Sequence, residues 1–161
     1  MTQVEIRLLG AVAVERDGVA ETRRSRNHGA ILGMLALHAG EAVDGDLLID
    51  EAWGEDLPKN PRGALQIALT RLRAWLGERA EPWITAAGGL YTLHLARDAV
   101  DVLRFHRLAG DALRGQDLAR YEAARQAWRG TPFPGLDSDR LTEARRIAEQ
   151  RRRTLTVRHA R

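Results

Sequence analysis

The sequence predicts an α+β fold: a small β-sheet, three helices and a β-hairpin over residues 1–96, followed by an all-α region over residues 97–161. Three observations predict it. Apolar residues alternate with period two at the start of the chain; from Ser25 they recur with helical spacing until period two returns over residues 83–93; beyond Arg97 the pattern is helical throughout. The change near residues 95–100 is one of element type without a flexible linker, so the two parts are expected to touch.

Val4, Ile6 and Leu8 alternate, and the pattern restarts after Gly10 at Val12 and Val14. Asp17 and Gly18 then supply the turn of a hairpin, so the chain opens as an antiparallel sheet. After Ser25, the residues Ala30, Ile31, Met34, Leu35 and His38 follow helical spacing, and Gly40 stops the run. Asp44 caps a short second helix with Leu48, Ile49 and Ala52 facing inward and Gly54 at its end. Residues 57–59 connect it to a third helix, which opens with Asn60 as N-cap and Pro61 at the first helical position. The missing N–H of proline costs nothing there.

At about 100° per residue, Leu65, Leu69, Leu72 and Leu76 of this third helix fall within a narrow apolar arc. Arg62, Gln66, Thr70 and Arg73 share a polar arc beside it. After Gly77, residues 83–85 and 90–93 read as two short strands joined by Ala86, Ala87, Gly88 and Gly89. In the helical region Asp101 is expected to cap a helix carrying Phe105, Leu108, Ala112 and Leu113 as far as Gly115. A second helix runs from Asp117 through Tyr121 and Ala124 to Trp128, residues 131–136 form a Pro/Gly loop, and a third helix starts near Ser138.

Composition narrows the function. The chain has 161 residues, 44% of them hydrophobic, which is enough for a core, and no apolar run approaches the roughly 20 residues of a membrane span. A cytoplasmic protein is expected, with no membrane partner. The absence of cysteine removes disulfides, thiolate zinc sites and a cysteine nucleophile. The five histidines form no i,i+4 pair, the two serines lie in no nucleophile-elbow setting, and neither phosphate-binding glycine motif occurs. No enzyme, metal site or cofactor is implied.

Net charge is only +3, yet 24 of the 25 basic residues are arginine, whose planar fork suits phosphate and base edges; a G+C-rich genome would produce the same bias. Distribution says more than the total. Residues 1–95 carry ten basic and thirteen acidic residues, and residues 96–161 fifteen and nine. Within the first part, residues 41–56 hold seven acids and no cation, whereas residues 59–73 hold four cations and no acid.

A helix about 24 Å long fits a DNA major groove about 12 Å wide if one side packs and the other offers hydrogen-bond donors. Arg62, Gln66, Thr70 and Arg73 supply such donors, and Arg23, Arg24 and Arg26 before the first helix could meet phosphates. Periodicity alone slightly favours an ordinary amphipathic core helix whose charges are solvated.

The stretches VEIRLLG, LLIDEAWGEDLP and ALQIALTRLRAWLG, then the WITAAGGLYTL hairpin and DVLRFHRL, resemble the Streptomyces antibiotic regulatory proteins over nearly the whole chain. In that family an OmpR-like winged helix-turn-helix DNA-binding domain precedes an all-α, tetratricopeptide-like bacterial transcriptional activation domain. The resemblance implies a winged-helix domain over residues 1–96 and the first part of an activation domain over residues 97–161, the rest being expected to be missing. It implies a sequence-specific activator, of a biosynthetic gene cluster, binding direct repeats in double-stranded promoter DNA as a head-to-tail dimer and contacting RNA polymerase subunits. The helix matching residues 61–76 would be the recognition helix, with Thr70, Arg71 and Arg73 at or near DNA and Thr85 at a backbone phosphate. Family wings bring glycine directly before tyrosine, whereas Leu90 here separates Gly89 from Tyr91.

On this reading the charge segregation orients the domain. The basic helix faces DNA while Asp50, Glu51, Glu55 and Asp56, with Trp53 among them, are presented to polymerase. The alternatives are a solvated acidic face and a core tryptophan. A different class of function also fits the same elements: a helical interaction module whose winged helix mediates protein contacts without reading DNA sequence.

Overall fold

The computed structural model describes residues 3–23, 25–77 and 79–159. Its first layer is an antiparallel sheet of β1 (Val4–Arg7), β2 (Ala13–Arg16) and β3 (Val19–Thr22) in that order. Arg16 pairs with Val19, so the β2–β3 turn is the two residues Asp17 and Gly18, with φ of 50° and 87°. Positive φ at both positions is what a type I′ turn demands, and Asp-Gly meets it with little strain.

Three helices follow: α1 (Arg26–Leu37), α2 (Gly45–Trp53) and α3 (Pro61–Leu76). Each begins at the cap its sequence provides. Ser25 accepts from the His28 N–H, Asp44 from the Asp46 N–H and Asn60 from the Gly63 N–H. The leucine arc of α3 is buried, with Leu69, Leu72 and Leu76 fully inaccessible, and α3 packs on α1, α2 and β2.

Between α1 and α2 lies a short strand, β4 (Ala42–Asp44), that local patterning did not predict. It pairs with β6 (Leu90–Leu93), which in turn pairs with β5 (Ile84–Ala87), giving a second sheet in the order β4-β6-β5. The β5–β6 turn is also shorter than expected. Ala87 pairs with Leu90, so Ala86 and Ala87 belong to the strand and only Gly88 and Gly89, at φ 59° and 78°, make the turn. Gly45, opening α2, has its N–H bonded to Gly89 O at 2.9 Å, and a Cβ there would come within 2.9 Å of Tyr91 Cε2. Only glycine lets the start of α2 lie this close to the hairpin.

A 3-10 turn (Arg97–Ala99) leads into α4 (Asp101–Gly115), α5 (Leu118–Ala127) and α6 (Asp139–His159). Asp101 does not cap α4 with its side chain, contrary to the local signal. Its carboxylate is 1% exposed and accepts from the Leu8 N–H at 2.7 Å and the Leu9 N–H at 3.2 Å, groups that β1 leaves without a strand partner. Burial pushes its carboxyl up from the ordinary value, against the lowering effect of the Leu8, Leu9 and Val102 N–H groups and of Arg129.

The two parts touch elsewhere as well. Gly10 N–H donates to Thr131 O and Phe133 N–H to Leu8 O. Arg145 of α6 holds the intervening loop by donating to Pro132 O, Phe133 O and Leu136 O at 2.7–2.9 Å. One continuous core runs from Ile6 through Leu72 to Phe105 and Leu155. No described helix is long and apolar enough to cross a membrane.

Candidate nucleic-acid interface

With the leucines of α3 turned inward, Arg62, Gln66, Thr70 and Arg71 lie exposed on the remaining arc. Their surroundings differ. Arg62 meets Asp46 at 3.4 Å across open surface, an ion pair of little strength that a phosphate can displace. The Thr70 hydroxyl donates back to Gln66 O at 3.0 Å. Arg71 makes no ion pair within 4.0 Å among the described residues. Its field is felt at His28 of α1, whose ring is held below the usual histidine pKa first by burial, then by Arg71 and Arg23. Arg71, Arg23 and α1 therefore form one positive neighbourhood.

Two side chains tie this helix to the β5–β6 hairpin. Gln66 Nε2 donates to Tyr91 Oη at 2.8 Å, and Arg73 donates to Ile84 O through Nε at 3.4 Å and Nη2 at 3.2 Å. Arg73, half-buried, thus braces the hairpin, which changes its expected part from free donor to tether. Thr85 is exposed on β5, with its hydroxyl 2.6 Å from His94 Nε2. Arg26 is exposed at the start of α1 but donates to Gly135 O at 3.0 Å, so it faces the loop before α6. Arg24 lies outside the described residues. Arg23 pairs with Glu21 at 3.0 Å and lies 5.8 Å over the Trp75 ring.

Sequence reasoning missed Ile67, which is 60% exposed between Thr70 and Arg71 on the helix surface. The signal was available: at about 200° from Leu65 it falls outside the leucine arc, where a large apolar side chain has no core to enter.

The acidic set does not stay together. Asp50, Glu55 and Asp56 are exposed, but Glu51 is buried, which corrects its placement on a partner-facing surface. Its Oε1 accepts from the Arg140 N–H at 3.1 Å, and Arg140 Nε lies 3.9 Å away. A carboxylate of α2 thereby caps the N-terminus of α6, where orphan N–H groups and the helix dipole both favour negative charge. Trp53 is half-buried against the core, and its Nε1–H donates at 2.8 Å to the Asn27 amide, whose nitrogen donates to Ala52 O at 2.8 Å.

No protein-family model matches the chain. It is similar to the transcriptional regulator RedD of Streptomyces coelicolor, 34% identical over 94% of this chain and 47% of RedD. It is also similar to the regulatory protein DnrI of Streptomyces peucetius, 28% identical over 88% of this chain and 61% of DnrI. The chain thus spans about half the length of the curated relatives it matches. Among solved structures, Mycobacterium tuberculosis EmbR, in complex with a low-affinity phosphopeptide, superposes with a TM-score of 0.80 over 99% of this chain and 44% of EmbR. At 23% identity that likeness shows the fold: small antiparallel sheets followed by a helical region. RedD and DnrI are named as regulators, so the homologues of this chain are Streptomyces regulators, of the antibiotic regulatory protein family that its motifs resemble.

Proposed function

We propose that the protein is a sequence-specific DNA-binding transcription activator, with residues 1–96 as the DNA-binding domain and residues 97–161 as helices of an activation domain. The observation that carries this reading is the face of α3. It presents Arg62, Gln66, Thr70, Ile67 and Arg71 to solvent while every leucine of the helix is buried, and Gln66 and Arg73 fix it to the hairpin. That arrangement puts forked donors, an amide, a hydroxyl and one apolar side chain on a rod of major-groove dimensions. Ile67 suits a thymine methyl, and Arg71 suits guanine or a phosphate. Kinship with RedD and DnrI supports a role in transcription.

On this reading the hairpin and Thr85 lie near the adjacent phosphates, and Arg23 and Arg24 add positive charge before α1, whereas Arg26 is turned to the loop before α6. Two copies bind direct repeats head to tail, an arrangement that need not persist without DNA. The exposed acids Asp50, Glu55 and Asp56 are the part of α2 and its following loop available to RNA polymerase, in the cytoplasm where promoters are found. Selection of bound duplexes from a random pool tests the assignment. Enrichment of short direct repeats is the expected result, and a bound pool no different from the input would overturn it in favour of an interaction module indifferent to DNA sequence.

A further inference from the structure

On the exposed arc of α3, Arg62, Gln66, Thr70 and Arg71 are held in different ways. Arg71 has no ion pair within 4.0 Å among the described residues, Arg62 meets the exposed carboxylate of Asp46, and the Thr70 hydroxyl is turned back on its own helix at Gln66 O. Gln66 alone of the four is bonded to a buried residue: its Nε2 donates to Tyr91 Oη at 2.8 Å.

Tyr91 is a rigid support. It lies on β6, the central strand of its sheet, paired with Val43 of β4 on one side and Ala86 of β5 on the other. The residue is 6% exposed, and its ring abuts the start of α2: a Cβ at Gly45 would lie 2.9 Å from Tyr91 Cε2 and 3.4 Å from Leu65 Cδ2 of α3. Sheet, α2 and α3 thus enclose the phenol, and its hydroxyl meets Gln66.

A glutamine side chain turns about three bonds, and fixing it on a base edge costs rotamer freedom. The bond to Tyr91 removes much of that freedom beforehand. With one N–H spent on Tyr91 Oη, the amide keeps its carbonyl oxygen and its second N–H, the acceptor and donor that pair with adenine N6 and N7. We infer that Tyr91 is a positioning residue for base recognition, holding the Gln66 amide so that α3 reads adenine at one position of the bound site. The inference rests on the proposed reading of α3 as the DNA-contacting helix, and one arm of its test uses no DNA.

That arm is side-chain nitrogen relaxation in the whole chain, free in solution. The Gln66 amide should be more ordered than that of Gln116, which is exposed and has no side-chain hydrogen bond among the described residues. Tyr91→Phe, which keeps the ring, should bring Gln66 to the level of Gln116. The second arm selects duplexes from a random pool with the parent, Tyr91→Phe, Gln66→Ala and the double variant. The parent should prefer adenine at a position that Gln66→Ala makes indifferent, with a loss of about tenfold or more on the selected duplex. Tyr91→Phe should weaken that duplex about two- to tenfold and blur the same position alone, and it should add nothing once Gln66 is alanine.

An amide as mobile as that of Gln116 in the parent, an unchanged base preference in Tyr91→Phe, or an equal loss from Tyr91→Phe with and without Gln66 overturns the inference and leaves DNA recognition by α3 standing. A parent that selects no sequence removes the reading of α3 and this assignment with it. Should Tyr91→Phe fail to fold, a mobile Gln66 amide in the parent, or a Gln66→Ala variant that keeps every base preference, overturns it.

Discussion

The second and third helices, α2 and α3, are neighbours with opposite charge, and they use that charge differently. Along α3 the packed and charged residues occupy separate arcs, so Arg62 and Arg71 stay at the surface and only Arg73 is drawn into a tether. On α2 one acid of the run, Glu51, turns inward to hold the start of α6, while Asp50 beside it remains in solvent. A run of like charge therefore says where charge lies along the chain. Which charges are available to a partner depends on what packs over each side chain, and that is set by elements distant in sequence.

The strongest way to test the packed side of α3 is Leu72→Ala, which should cost about 2–5 kcal/mol in denaturant unfolding. A loss under about 1 kcal/mol would mean the arc is not packed as seen. On α2, Glu51→Ala leaves the Arg140 N–H without its acceptor and should cost about 1–3 kcal/mol. Asp50→Asn, Glu55→Gln and Asp56→Asn together should change stability by less than about 0.5 kcal/mol. Equal effects in the two variants would erase the distinction between the inward acid and its exposed neighbours.

Arg71→Ala should weaken binding to a selected duplex by about 1–3 kcal/mol while the melting temperature holds. Arg73→Ala should also loosen the hairpin, lowering stability by about 1 kcal/mol through the lost bonds to Ile84 O. Unchanged affinity in both variants would remove α3 from the interface.

The smallest effect is a pH dependence. His28 and His106 are both held below the ordinary value of 6.5, chiefly by burial, with Arg71 and Arg23 adding to the effect at His28 and Arg151 and Arg97 at His106. The unfolded chain then binds more protons than the folded one as pH falls through this region. Their contribution to stability is complete above about 6.5 and is lost on acidification below it. Unfolding free energies measured on either side of that pH should show the decline, and Arg71→Ala should raise the His28 pKa in an NMR titration. A His28 pKa unmoved by that change would separate Arg71 from the α1 neighbourhood.

What was legible in the sequence is what local chemistry decides. The Asp17 and Gly18 turn, the Asn60 cap with Pro61 and the leucine arc of α3 all appear where the residues predict them. The strand β4 was not legible, because three residues become a strand only through pairing with β6, far along the chain. Asp101 carries a capping residue's signature, yet two strand-end N–H groups claim its carboxylate. Glu51 was misread for the same reason: its acceptor role is defined by a helix that begins 88 residues later, at Asp139. Arg73 differs only in scale, since helical geometry placed it beside the free donors but could not place Ile84 O within reach.

The bonds from Leu8 and Leu9 to Asp101 bear on how the chain can be divided. Their amide protons answer to α4, so in hydrogen exchange they should report the opening of the junction between the two regions, not the fraying of the first strand. A fragment ending at residue 96 would leave both amides without their acceptor and would uncover the side of Ile6 and Leu8 on which the helical region lies. Such a fragment should exchange fast at these two positions even where α3 stays protected. The part of the chain that carries α3 is thus finished, at its far edge, by a side chain belonging to its neighbour.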